Sequence, residues 1–206
     1  WHSDTREDTA SAIKDTPETA RAQVQAGLQT PGIEIVALML GEQGKAEQTE
    51  LLAERDRVME EKFRFVTDGR TPEELSHLVI AFEPIPYISI QGKGEPAPLA
   101  YIQQAHATLR GIVRRAHGEA VASSMRILYG GSSNPNNAED ILKLDDVDGF
   151  VPGTASTNPV LFRQMVEIME RIAPEKEAKT GRRLVLIGNI KNYRPNGPRP
   201  NPVDYA

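Results

Sequence analysis

Short apolar runs alternate along the chain with longer stretches in which apolar residues return every three or four positions. The first run, Ile33, Ile35, Val36, Leu38 and Leu40, is nearly continuous and stops at Gly41-Glu42, as expected of a strand buried on both faces. Similar runs at 77–82, 125–129, 147–151 and 183–188 bring the predicted strands to five. Helical periodicity falls at 17–28, 46–65, 98–117, 138–144 and 159–172. Thr16 is a suitable N-cap for the first of these helices, and Pro17 suits its opening turn. In the third, Leu99, Ile102, Leu109, Ile112, Val113 and Ala116 form one apolar stripe opposite a polar face, so this helix should lie against a sheet. Regular strand–helix alternation predicts parallel β/α units. The polar segment 173–183 reads as a surface connection, and the prolines after Tyr193 as a tail over 194–206.

Composition then limits what such a chain does. Its 206 residues suit one domain at the lower edge of a (β/α)8 barrel, which takes roughly 200 to 250. With 24 Lys and Arg against 29 Asp and Glu, the formal charge of −5 offers no grip on nucleic acid or an anionic membrane, so any anion must be bound locally. The chain has no cysteine, which excludes disulfides, thiolate metal sites and a cysteine nucleophile. No segment has the apolar length of a membrane span or the look of a secretory signal. A soluble, cytoplasmic protein is expected, and the start at Trp1 rather than Met marks the chain as processed, truncated or an excerpt.

Three segments carry candidate chemistry. Ala81-Phe82-Glu83-Pro84-Ile85 puts a carboxylate at the end of a strand, where catalytic groups of a β/α barrel converge, and leads into a proline-bounded loop over 84–94. Tyr129-Gly130-Gly131-Ser132-Ser133 also follows a strand, and its glycines allow backbone N–H groups to approach an anion closely. Gly149-Phe150-Val151-Pro152-Gly153-Thr154 runs from a strand into a helix start, where free N–H groups and the helix dipole favour phosphate.

The order and spacing of these segments resemble triosephosphate isomerase and its bacterial sugar-phosphate isomerase relatives, over most of residues 1–172. Phe82-Glu83-Pro84-Ile85, Leu128-Tyr129-Gly130-Gly131-Ser132-Ser133-Asn134-Pro135 and Asp146-Val147-Asp148-Gly149-Phe150-Val151-Pro152-Gly153-Thr154-Ala155-Ser156 carry the resemblance. Trp1-His2-Ser3-Asp4-Thr5-Arg6 is similar to the family's His-Ser-Glu-Arg-Arg motif, and Leu38-Met39-Leu40-Gly41-Glu42 to the end of its fifth strand. The family's opening Gly-Asn-x-Lys motif has its match at the other end of this chain, in Gly188-Asn189-Ile190-Lys191. Strands two to four have no counterpart. The resemblance thus implies a parallel TIM (β/α)8-type barrel over 1–193, incomplete or permuted, with 182–193 beside the eighth strand where a first strand belongs. The barrel is open, completed by a second copy or a complementing chain, or cut from a longer one.

The same resemblance implies interconversion of aldose and ketose phosphates through an enediolate. Glu83 would move the proton between adjacent carbons, and neutral His2 would polarise the carbonyl. Lys191 would supply positive charge and Asn189 would orient the substrate. Ser89, Gly131, Ser132, Gly153 and Thr154 would hold phosphate beneath the closing loop, with no metal or organic cofactor required. Some positions depart from the family pattern: Pro86 stiffens the hinge, Ser89 replaces a glycine, and Thr154 replaces another. Triose phosphate is the leading substrate. The alternatives are a four-carbon sugar phosphate, suggested by Gly92-Lys93-Gly94-Glu95-Pro96-Ala97, and a catalytically silent phosphosugar-binding paralogue.

Overall fold

A computed structural model of the chain describes residues 16–42, 49–84, 87 and 96–188. The apolar runs become β1 (Val36–Glu42), β2 (Leu78–Pro84), β3 (Arg126–Tyr129), β4 (Gly149–Phe150) and β5 (Val185–Leu186). All pair in parallel in one sheet, in the order β1-β2-β3-β4-β5. Sequence neighbours are sheet neighbours because helices return the chain between strands. α1 (Pro17–Gln29) leads into β1, and α2 (Thr49–Thr67) and α3 (Pro72–Ser76) connect β1 to β2. α4 (Leu99–His117) and α5 (Glu119–Ser124) connect β2 to β3, and α6 (Ala138–Leu142) connects β3 to β4. α7 (Thr154–Thr157) and α8 (Pro159–Thr180) precede β5. Among the described residues, no helix is long and apolar enough to cross a membrane.

Local sequence explains the helix starts. Thr16 accepts a hydrogen bond from the Thr19 N–H while the Thr19 hydroxyl oxygen accepts from the Thr16 N–H, a reciprocal cap of α1. Thr71 and Glu74 do the same for α3, with Pro72 in its first turn. Of its predicted stripe α4 buries Ile102, Leu109, Ile112 and Val113, with Ala105 beside them, while Ala116 is half-buried and Leu99 in the first turn stays exposed.

The register sorts the strands into two faces. Leu38, Leu40, Leu78, Ile80, Phe82, Ile127, Tyr129 and Phe150 point toward the helices and join them in the main core. Each fully buried aliphatic or phenyl side chain there contributes about 1.5–3 kcal/mol. Val79, Leu128 and Val185 form a second cluster on the opposite face, with Val151 and Ile187 against it. Side chains from β2, β3 and β5 meet there, so the sheet curls around this inner face as a barrel wall does.

Several expectations need correction. β1 starts only at Val36, leaving Ile33 and Ile35 exposed, and it is buried on one face rather than two: Leu38 and Leu40 are covered, Ala37 is exposed and Met39 is half-buried. Among the described residues β1 has a strand neighbour on one side only, so its inner face lacks a cover. The expected surface connection at 173–183 is mostly helix, because α8 continues through Pro174 to Thr180. The carbonyl deprived of its partner by Pro174 belongs to Glu170, an exposed residue whose oxygen water can reach. The buried stripe Met165, Met169, Ile172 and Lys176 holds the extra turns, and Gly181 closes the helix at φ 70°. β4 and β5 are two residues each, shorter than their apolar runs. The predicted tail at 194–206 lies outside the described residues.

Candidate active site

Because all five strands are parallel, their C-terminal ends share one rim. Glu83 is the penultimate residue of β2, on the inner face, with 8% of its surface exposed. It lies opposite Gly41 of β1 in the register. On its other side the Gly130 N–H donates to the Phe82 carbonyl at 2.7 Å, continuing the β2–β3 ladder. A Cβ on Gly130 would lie 2.9 Å from Glu83 Cγ and 3.0 Å from the Phe82 carbonyl oxygen. Glycine at 130 therefore makes room for the carboxylate's own side chain, a tighter requirement than the anion approach inferred from sequence. Gly131 is constrained similarly, since a Cβ there would overlap the Tyr129 hydroxyl and ring.

The loop after β3 is held by its own polar groups. Asn134 N–H donates to Asn137 Oδ1 at 2.9 Å, and Asn137 Nδ2 donates to the Ser132 carbonyl at 3.1 Å. Ser132 donates both its N–H, at 2.9 Å, and its hydroxyl, at 2.7 Å, to the carbonyl of Tyr87. The buried hydroxyl of Ser133 has no hydrogen-bond partner among the described residues. Burial raises the pKa of the Tyr129 phenol above its usual value. One strand further, Gly153 is exposed at the start of α7, with open space where its Cβ would be. The β3–β4 ladder continues to the rim, the Val151 N–H donating to the Tyr129 carbonyl at 3.0 Å.

Behind this rim, His106 of α4 is fully buried against the helix-facing side of β2 and β3. Its ring meets Phe82 edge-on at 5.6 Å and Tyr129 at 6.0 Å. Its Nδ1 lies 2.8 Å from the Ile102 carbonyl and so carries the proton of a neutral ring. Desolvation lowers its pKa to about 4.

The structure thus sets a carboxylate on the inner face, beside a glycine-built turn and an exposed helix start on the next two strands. A family model for triosephosphate isomerase matches residues 2–169. The chain belongs to the triosephosphate isomerase family. Its relatives include the triosephosphate isomerase of Citrifermentans bemidjiense, 30% identical over 156 residues, covering 76% of this chain and 59% of the relative. That of Solibacter usitatus is 32% identical over 159 residues, covering 75% and 59%. A third, from Chloroherpeton thalassium, is 37% identical over 113 residues, covering 55% and 44%. The chain thus spans about three fifths of the length of the first two relatives. The five-stranded curled sheet is an incomplete TIM barrel.

For a triosephosphate isomerase family member, the structure brings Glu83, Gly131, Ser132 and Gly153 to one rim on the adjacent strands β2, β3 and β4. Thr154 opens α7 there. His2, Ser89, Asn189 and Lys191 lie outside the described residues. Sequence reasoning gave no role to His106 or to Asp148, a fully buried carboxylate at the opposite end of β4. Asp148 carried one legible signal: an acidic residue within an otherwise apolar predicted strand.

Proposed function

We propose that the chain contributes the catalytic rim of an isomerase that interconverts dihydroxyacetone phosphate and glyceraldehyde 3-phosphate through an enediolate. The observation that supports this most is the seating of Glu83: a carboxylate buried on the inner face, with Gly130 beneath its side chain and two anion-ready turns on the adjoining strands. Glu83 acts as the base that removes a proton beside the carbonyl and returns it to the neighbouring carbon. His2 is the electrophile, Lys191 neutralises the developing oxyanion, and Asn189 orients the substrate. Gly131, Ser132, Gly153, Thr154 and Ser89 take the phosphate. Because both Ser132 donors now engage the Tyr87 carbonyl, phosphate binding at Ser132 requires that pairing to open. The setting is cytoplasmic. The partner is a second copy or a complementing chain, which adds β/α units along the edge of β1 that has no neighbour among the described residues.

A coupled assay with dihydroxyacetone phosphate tests the reading on the wild-type chain and on Glu83→Gln. The expected result is turnover that falls on the order of 10²–10⁴-fold in the variant. Phosphosugar binding without turnover would instead indicate a silent paralogue, and a preference for erythrulose phosphate a four-carbon substrate.

A further inference from the structure

Asp148 immediately precedes β4 and is completely buried. Its Oδ2 accepts from Arg110 Nη2 at 2.8 Å and from the Ile127 N–H at 2.9 Å, which fixes it to α4 and β3. Its Oδ1 accepts from Arg182 Nε at 2.7 Å. Arg182 is itself buried and donates through Nη2 to the Asp145 carbonyl at 2.8 Å. It lies between the Gly181 cap of α8 and β5, where the chain must stop being helix and turn onto the sheet. Beyond it the Val185 N–H donates to the Asp148 carbonyl at 2.9 Å, and the Ile187 N–H to the Phe150 carbonyl at 3.0 Å. The approach is close: Gly149 has φ 140°, and a Cβ there would overlap the Val185 carbonyl.

Packing alone holds β5 weakly: it is two residues long, Val185 is 9% exposed, Leu184 and Leu186 are half-buried against the main core, and Ile187 is half-buried against the inner cluster. A short edge segment does not choose its register from so little side-chain packing. A bonded Arg–Asp pair in a desolvated site does fix one, because any slip leaves a charge buried without its partner.

We propose that Arg182 is a positioning residue: its pair with Asp148 seats β5 beside β4 in a single register. The inference deepens the isomerase reading, since Asn189 and Lys191 follow directly, but the seating of β5 is measurable without activity.

Arg182→Met and Arg182→Lys separate this role from general stabilisation, because Arg110 and the Ile127 N–H still satisfy Asp148 when Arg182 is lost. Hydrogen exchange should show the Val185 and Ile187 amides losing protection at least about tenfold in Arg182→Met, while the Ile127 and Val113 amides keep theirs. Arg182→Lys should recover part of the loss, since an ammonium can replace one of the two donors. The isomerase rate should follow the same order, with a loss on the order of a hundredfold in the methionine variant. Unchanged protection at Val185 and Ile187, or an equal loss at all four amides, would overturn the proposal. Selective loss at β5 with no isomerase activity in any variant would leave the clamp standing and reject the isomerase reading instead.

Discussion

The two ends of the sheet treat polar groups in opposite ways. At the N-terminal end of β4, Arg110 donates to Asp146, Asp148 and the Ala122 and Met125 carbonyls, and Arg182 completes Asp148. Arg110, Arg182, Asp146 and Asp148 are thus all paired within the chain. At the C-terminal end, the hydroxyl of Ser133 is buried without a partner among the described residues, and Gly153 faces open space. Self-satisfied polarity builds structure, whereas unsatisfied polarity at a rim leaves capacity for a ligand. Substitutions at the first end should therefore change stability, and substitutions at the second should change activity more than stability.

The largest effect is expected from Asp148→Ala, which leaves two buried guanidinium groups short of a carboxylate. Urea unfolding should show a loss of about 3–5 kcal/mol. A loss below about 1 kcal/mol would mean the charged end is not the structural one. Next is the buried His106, which stands between the ends. Its pKa is about 4 when folded against 6.5 as the ordinary value, so the unfolded chain binds the extra proton between those limits. Stability from this group is complete above pH 6.5 and drains as pH falls toward 4, by up to about 3 kcal/mol. His106→Gln should flatten that part of the acid limb relative to the wild type, and parallel curves would show that His106 takes no part.

Gly130→Ala sharpens the contrast from the other side. The added methyl meets Glu83 Cγ and the Phe82 carbonyl, a strain of about 1–3 kcal/mol in stability. Displacing the carboxylate by a fraction of an ångström should lower kcat/KM on the order of a hundredfold. Thermal melts and initial rates on one preparation compare the two losses. A variant that melts early yet turns over normally would reverse the assignment of the two ends.

The sequence made much of this legible, for identifiable reasons. β2 is an unbroken apolar run, the face of α4 is strongly periodic, and Thr16 carries a local cap, so each could be read without knowing the partner element. The end of α8 was hidden because 173–183 is charged and polar, and the exposure of Glu170 makes the hydrogen bond lost at Pro174 tolerable. The open face of β1 was hidden because apolar Ala37 and Met39 imply a cover that no described strand provides. Gly130 was found for an incomplete reason: its sequence neighbours suggest an anion, while the atom it accommodates belongs to Glu83, 47 positions earlier. The pairing of Asp148 with Arg110 and Arg182 spans 38 and 34 positions, and no local pattern announces it.

The central claim is that Glu83 removes a carbon-bound proton from a phosphosugar at this rim. Incubating dihydroxyacetone phosphate with the chain in deuterium oxide tests it most directly, read by magnetic resonance at the carbon beside the carbonyl. Deuterium should enter that carbon rapidly with the wild-type chain and on the order of 10²–10⁴ times more slowly with Glu83→Gln. Equal incorporation by the two proteins, or none by the wild type, would contradict the account.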